Sequence, residues 1–286
     1  MRISACLLFA FVLSATAGCG GRSSESSLPA LSAGTPGAAS ARSAALWIPA
    51  AESTFAIQYG GKRLDTNVDA AIYDVDGFDT TAATVAQLHG MGRHVVCYID
   101  VGTWENWRPD AGTFPKSVLG KPDGHWKGER WLDISQLSVL QPIMSARFKM
   151  CARKGFDAID SDNIDGYENR TGFKLTAEQQ LTYDRWVAKR IHSFGLSAAQ
   201  KGDNDQVADL RPSFDWAVLE ECYKQGWCKQ FTSYTDDDRL VVDIEYGLKK
   251  SEFLNKTCPQ IKGYKETALL KHLNLDAWVV TCSKDR

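Results

Sequence analysis

The stretch Gly155-Phe-Asp-Ala-Ile-Asp-Ser-Asp-Asn-Ile-Asp-Gly-Tyr167 decides how the rest of the chain is read. Ala158 and Ile159 are the apolar part of a short strand, which then delivers Asp160, Asp162 and Asp165 into a turn ending at Gly166. Like charges crowded at a strand end repel, and one pKa must rise. Such a cluster marks a place where chemistry or cation binding is served. Asp and Asn are also ordinary turn formers, so the stretch must be judged by its surroundings.

Short apolar runs alternate with amphipathic ones on both sides of it. Strands are predicted at Phe55–Tyr59, Ala70–Asp74 and His94–Ile99 before it, and at Leu196–Gln200, Asp215–Glu220, Arg239–Glu245 and Ala277–Thr281 after it. Helices are predicted at about 80–91, 138–154, 176–194 and 264–272. In the first, Val85, Leu88 and Met91 form the inner face; the third is opened by Thr176 with Glu178 and Gln179 in its first turn. A long loop carrying Trp104, Trp107 and Trp126 follows the third strand. Parallel neighbours need crossover helices, and eight strands close a (β/α)8 TIM barrel, a single α/β domain. A doubly wound open sheet is the competing topology.

In either topology chemistry gathers at the carboxyl ends of the strands. Those ends carry Asp74, Asp100, Asp160, Asp162, Lys201, Glu220, Glu221, Asp243, Glu245 and Tyr246. Two carboxylates facing one bond are the minimum apparatus for glycoside hydrolysis: one donates a proton to the leaving oxygen, the other attacks carbon or activates water. Asp162 and Glu220, on nonadjacent strands, suit those roles. The loop tryptophans suit sugar stacking, although each is as well explained by packing.

Other chemistries fit less well. No GxSxG elbow is present. No GxGxxG follows the first strand. The aspartate stretch lacks the ligand order of an EF-hand loop, and no CxxC pair suggests zinc. No metal or organic cofactor is expected. A formal net charge of -2 and the lack of a basic run give no support to nucleic-acid binding.

Residues 1–18 read as a signal peptide: Met1-Arg2 is a positive start and Ala5–Ala17 an apolar run too short for a permanent span. Thr16-Ala17-Gly18-Cys19 is similar to a bacterial lipobox with Cys19 as the lipidated residue, Thr16 standing where Leu is preferred; simple secretion is the alternative. Membrane association is expected only through that anchor. Residues 19–43, rich in Ser, Ala, Gly and Pro, read as a flexible tether, and the folded domain as 44–286. Six further cysteines in an exported chain favour disulfides. Sequence does not fix their connectivity. The expected pairs are Cys222 with Cys228, a local staple, and Cys258 with Cys282, tying the last helix to the last strand, which leaves Cys97 with Cys151. Asn169-Arg-Thr171 and Asn255-Lys-Thr257 are glycosylation sequons only in a eukaryotic secretory route.

Four stretches together carry a family resemblance. They are Tyr98 to Asp110, Gly128-Glu-Arg-Trp-Leu-Asp133, Gly155 to Tyr167, and Asp215-Trp-Ala-Val-Leu-Glu-Glu-Cys222. In them the chain resembles the endo-α-1,4-polygalactosaminidases of glycoside hydrolase family 114. The resemblance implies a (β/α)8 barrel and hydrolysis within chains of α-1,4-linked galactosamine. It places the catalytic aspartate at Asp162, as nucleophile if the mechanism is retaining, and the acid/base at Glu220. Asp74, Asp100, Lys201, Asp243, Glu245 and Tyr246 are candidate substrate contacts. Two positions depart from the pattern: Leu219 and Gly202 stand where Asn is expected. The implied partner is a cationic amino-sugar polysaccharide, which an acidic cleft would concentrate, and a monomer is expected. Two other readings stay open: a polysaccharide-binding envelope lipoprotein without turnover, and a glycosidase for another glycan.

Overall fold

The computed structural model describes residues 46–282, apart from 62 and 125, as a single domain. The expected signal peptide, tether and Cys19 lie outside the described residues. The strands are β1 (Phe55–Gln58), β2 (Ile72–Asp76), β3 (His94–Asp100), β4 (Thr103–Glu105), β5 (Leu119–Pro122), β6 (Glu129–Leu132), β7 (Ala158–Asp162), β8 (Ser197–Lys201), β9 (Trp216–Glu220), β10 (Val241–Tyr246), β11 (Thr267–Lys271) and β12 (Val279–Thr281). The helices are α1 (Ala82–Gly90), α2 (Leu137–Lys154), α3 (Ala177–His192), α4 (Val207–Leu210), α5 (Cys222–Gln225), α6 (Thr232–Thr235), α7 (Lys250–Glu252) and α8 (Cys258–Gly263).

Nine strands form one sheet in the order β1-β2-β3-β7-β8-β9-β10-β11-β12. All neighbours are parallel except β11 and β12. The sheet curls into the (β/α)8 barrel. Strand alternation sorts its side chains into two cores. Ile57, Ile72, Val96, Ala158, Ala199, Trp216, Val218, Val242, Ile244 and Leu269 pack together in the barrel interior. Val75, Cys97, Ile159, Ala198, Leu219 and Leu270 pack outward with residues of the helices, such as Leu88, Phe148 and Ile191.

The helices begin where local chemistry says they should. The Thr81 side chain accepts from the Thr84 N–H at the start of α1. Thr176 and Gln179 form a full capping box at the start of α3.

Two expectations fail. The segment 264–272 is predicted as helix, yet Thr267–Lys271 is the eighth parallel strand, in register with β10. Ala268, Leu269 and Leu270 are buried on both faces of the sheet, and a short apolar run of that kind has no period to separate strand from helix. The strand expected at 277–281 is instead β12, an antiparallel addition to β11. The long tryptophan loop also holds a three-stranded antiparallel sheet, β4-β6-β5, with strands too short to show alternation.

The barrel seam is closed by the turn 272–278 between β11 and β12. Its Leu275 carbonyl accepts from the N–H groups of Tyr59 (3.1 Å) and Gly60 (3.0 Å). A Cβ on residue 60 would lie 2.1 Å from the Asn274 carbonyl oxygen, so only glycine allows that approach. The three disulfides are Cys97–Cys151, Cys222–Cys228 and Cys258–Cys282. No helix among the described residues is long and apolar enough to cross a membrane.

Candidate active site

Toward the carboxyl ends of the strands the barrel interior turns from apolar to polar. Residues two apart on a strand share a face, so Asp160 and Asp162 both enter the barrel from β7. Lys201 enters from β8, Glu220 from β9 and Tyr246 from β10. The Lys201 Nζ lies 3.3 Å from Asp160 Oδ2, 3.4 Å from Asp162 Oδ1 and 3.4 Å from Glu220 Oε1. One ammonium thus serves three carboxyl groups. Burial works against its charge, but Asp160, Asp162 and Glu220 together outweigh burial and hold the Lys201 pKa well above the ordinary range.

Tyrosines complete the ring. Tyr98 donates to Asp162 Oδ2 (2.8 Å), Tyr59 to Asp160 Oδ2 (3.0 Å) and Tyr246 to Glu220 Oε1 (3.2 Å). The Tyr59 and Tyr98 rings lie 4.1 Å apart. The Asn163 N–H donates to Asp162 Oδ1 at 3.0 Å. Asn163 has a positive φ of 60°, which Asn tolerates better than most residues. A Cβ at Gly102 would overlap the Asn163 carbonyl oxygen at 1.7 Å, so glycine there lets β3 carry its loop against the end of β7. Three donors therefore orient Asp162. Desolvation raises the Glu220 pKa, with Lys201 pulling it back. Its side chain is still 42% exposed, against 23% for Asp162 and nothing for Asp160. The two groups open to solvent are the two that a substrate can reach.

The structure separates the other expected contacts. Lys201 and Tyr246 touch the carboxyl pair. Asp100 pairs in register with Asp162 but is fully occupied. It accepts from the Gly102 N–H (3.0 Å), the Thr103 N–H (2.7 Å) and hydroxyl, and the Asn163 amide (2.9 Å). Burial and the charge of Glu105 push its pKa up to about 7. Asp74 is sealed beneath the site, and burial and Asp160 hold its pKa well above the usual carboxylate range. Asp243 and Glu245 leave the barrel altogether. Alternation on β10 sends Ile244 and Tyr246 inward and these two outward, where Asp243 accepts from the Cys222 N–H (3.1 Å) and Glu245 from the N–H groups of Tyr223 (2.9 Å) and Lys224 (3.2 Å). They cap α5 and do not face the site.

The site also contains groups the expected set omits. Asp160 and Tyr98 were legible, since each shares strand parity with a neighbour at the site. Tyr59 sits just past β1 with the same parity as Ile57. Glu129, delivered by the unforeseen sheet, places its Oε2 3.3 Å from the Thr103 hydroxyl oxygen, and burial and Asp100 raise its pKa to about 8.

A pair of solvent-reached carboxyl groups, bridged by one buried ammonium at the carboxyl end of a (β/α)8 barrel, is an arrangement suited to acid/base work on a glycosidic bond. The family model for glycoside-hydrolase family GH114 matches residues 36–286, and the chain belongs to that family. Among solved structures, it is similar to Aspergillus fumigatus Ega3 in complex with galactosamine. The identity is 32%, the match covers 82% of this chain and 97% of that one, and the TM-score is 0.79. The glycoside hydrolase domain of PelA from Pseudomonas aeruginosa shares the fold at 12% identity, covering 81% of this chain and 99% of that one, with a TM-score of 0.64. No curated protein matches the chain.

Proposed function

We propose that this chain is an exported, endo-acting hydrolase of α-1,4-linked galactosamine polymers, with Asp162 as nucleophile and Glu220 as acid/base. The observation that carries this reading is the Lys201 bridge between the two carboxyl groups. In the first step Glu220 gives its proton to the glycosidic oxygen, the C1–O bond breaks, and Asp162 forms an ester with C1. In the second, Glu220 takes a proton from water, whose oxygen displaces Asp162. Lys201 offsets the negative charge that both steps move between the two groups.

The same bridge bears on stereochemistry. Each of the two oxygens is 3.4 Å from one nitrogen, so they lie no farther apart than twice that distance. Acceptors held at a tetrahedral angle would stand closer still. Retaining enzymes hold their carboxyls about 5–5.5 Å apart and inverting ones about 6.5–9.5 Å, which favours retention. The relative solved with galactosamine, at 32% identity, supports an amino sugar as substrate. That sugar is cationic near neutral pH, and the acids around the site would attract it. Three disulfides support the reading of residues 1–18 as a signal for export, with Cys19 as the anchor point if the chain is lipidated.

The test is release of reducing ends from de-acetylated α-1,4-galactosaminan by the wild type and by Glu220→Gln. The wild type is expected to release them, with the α-anomer appearing first by NMR, and the variant to lose about 10²–10⁴ in kcat. Polymer binding without turnover by either protein would replace hydrolysis with the binding reading.

A further inference from the structure

Glu129 is a carboxyl group that the fold buries without a donor. It is 7% exposed and stands directly opposite Glu105 of β4. Like charges so placed destabilise a strand pair. Glu105 has a cation, since Arg108 lies 2.6 Å from it and 2.7 Å from Asp76. Glu129 pairs with no cation among the described residues. Its nearest hydrogen-bonding group is the Thr103 hydroxyl oxygen at 3.3 Å. A hydroxyl has one proton to give, and Thr103 gives it to Asp100 through a shorter contact. Burial and the charges of Asp100, Glu105, Asp162 and Asp123 accordingly raise the Glu129 pKa to about 8. A buried carboxyl left in this state costs the fold stability, and in a cleft it marks a group held for a ligand.

The sheet that carries Glu129 aims it at the barrel mouth. Residues two apart on a strand share a face, and so do residues directly opposite in an antiparallel pair. Thr103, Glu105, Glu129 and Trp131 therefore share one face of the β4-β6 pair. That face looks onto the carboxyl end of β7. At one corner the Thr103 hydroxyl sits on Asp100, which pairs in register with Asp162. At another, Trp131 covers Gly166 in the loop that follows β7, where a Cβ would stand 3.6 Å from its ring. Asp100 also accepts from the Asn163 amide, and the Asn163 N–H donates to Asp162. One hydroxyl thus separates Glu129 from Asp100, and one strand spacing separates Asp100 from Asp162.

A protonated amine supplies what this group lacks. It brings three N–H donors and a positive charge, which answer the missing donor and the excess of acid together. In galactosamine the amine is on C2, next to the carbon that Asp162 attacks, so a unit bound at Asp162 presents its ammonium beside that carboxyl. An acetamide offers one donor and no charge. We infer that Glu129 binds the protonated amine of a galactosamine unit held at the carboxyl pair, and so selects de-acetylated polymer over the N-acetylated form. This rests on the hydrolase reading above. Glu129 selects and orients the sugar and has no part in bond cleavage.

The experiment is calorimetric titration with de-acetylated and N-acetylated α-1,4-galactosamine oligomers, with turnover blocked by Glu220→Gln. That variant is compared with the double variant carrying Glu129→Gln as well. The second substitution should weaken binding of the de-acetylated oligomer about 10- to 100-fold, the scale of a hydrogen bond to a charged group. It should leave the N-acetylated oligomer within about twofold. At about pH 6.5 Glu129 holds its proton and the ammonium must replace it, so binding should release protons, and Glu129→Gln should abolish that release. Removing the charge opposite Glu105 should leave Tm unchanged or higher, whereas a purely structural role for Glu129 would lower it. Unchanged affinity, an equal loss on both oligomers, or no binding of the de-acetylated oligomer by the parent variant would overturn the amine site. Failure of the hydrolase reading is seen separately, as a wild type that releases no reducing ends, and the same titrations then still decide the role of Glu129.

Discussion

Two groups of acids stand at the carboxyl ends of adjacent strands. Inside the barrel, Asp160, Asp162 and Glu220 share the Lys201 ammonium and three tyrosine hydroxyls. Outside it, Asp243 and Glu245 pair with no cation among the described residues and cap α5 by accepting from backbone N–H groups. The register places Ile244 opposite Glu220 and Asp243 opposite Leu219, so one residue of strand parity divides the two groups. Burial raises the pKa values of both Asp243 and Glu220. A raised pKa therefore does not tell a site from a cap. A bridging ammonium and an opening to solvent do, and only the inner group has them.

The sharpest way to break this comparison is to remove the cation. Lys201→Met should lower kcat about 10²–10³-fold, the scale of losing a charge aimed at the reacting centre. Because Lys201 lowers the Glu220 pKa, its loss should move the alkaline limb of kcat/KM to higher pH. A pH profile that keeps its limb would show that the ammonium does not govern the acid.

The outer pair should behave in the opposite way. Asp243→Asn combined with Glu245→Gln should leave kcat/KM within about twofold and cost about 1–2 kcal/mol of stability through lost capping, read as a lower midpoint in urea. A large loss of activity at unchanged stability would return these residues to the site.

The smallest effect belongs to Glu266, which lies near Asp243 on the outer side. Neither of its carboxylate oxygens has a hydrogen-bond partner among the described residues, and burial raises its pKa to about 8. A carboxyl with a folded pKa above its unfolded value keeps its proton longer in the native state. Its contribution is therefore complete below about pH 4 and is lost as pH rises toward 8. Glu266→Gln should flatten the decline of Tm between about pH 5 and 9, and scanning calorimetry across that range would show a parallel decline if Glu266 were uninvolved.

Much of this was legible in the residues. Asp162 and Glu220 end short strands whose end point is plain, and the four stretches quoted for the family hold both. What escaped did so for physical reasons. Asp243 and Glu245 looked equivalent to Glu220 because strand ends were read without their parity. Asp74 and Asp100 were read as substrate contacts because burial beneath or beside a site is a tertiary property. β11 was mistaken for helix because a strand buried on both faces shows no period. β4, β5 and β6 are too short to alternate, so Glu129 had no visible element to deliver it.

The close approach at Gly60 has a consequence for when this chain can finish folding. The segment just past its first strand, Tyr59 and Gly60, is bonded to the distant turn 272–278, and Cys258–Cys282 fastens the end of β12 to α8. β1 leaves the ribosome with its final neighbour still unmade. The barrel must therefore wait as an open curl, with one edge unsatisfied, until the turn 272–278 has been made. With the export proposed above, the closed form would be reached after translocation, where the disulfide that secures the seam can also form.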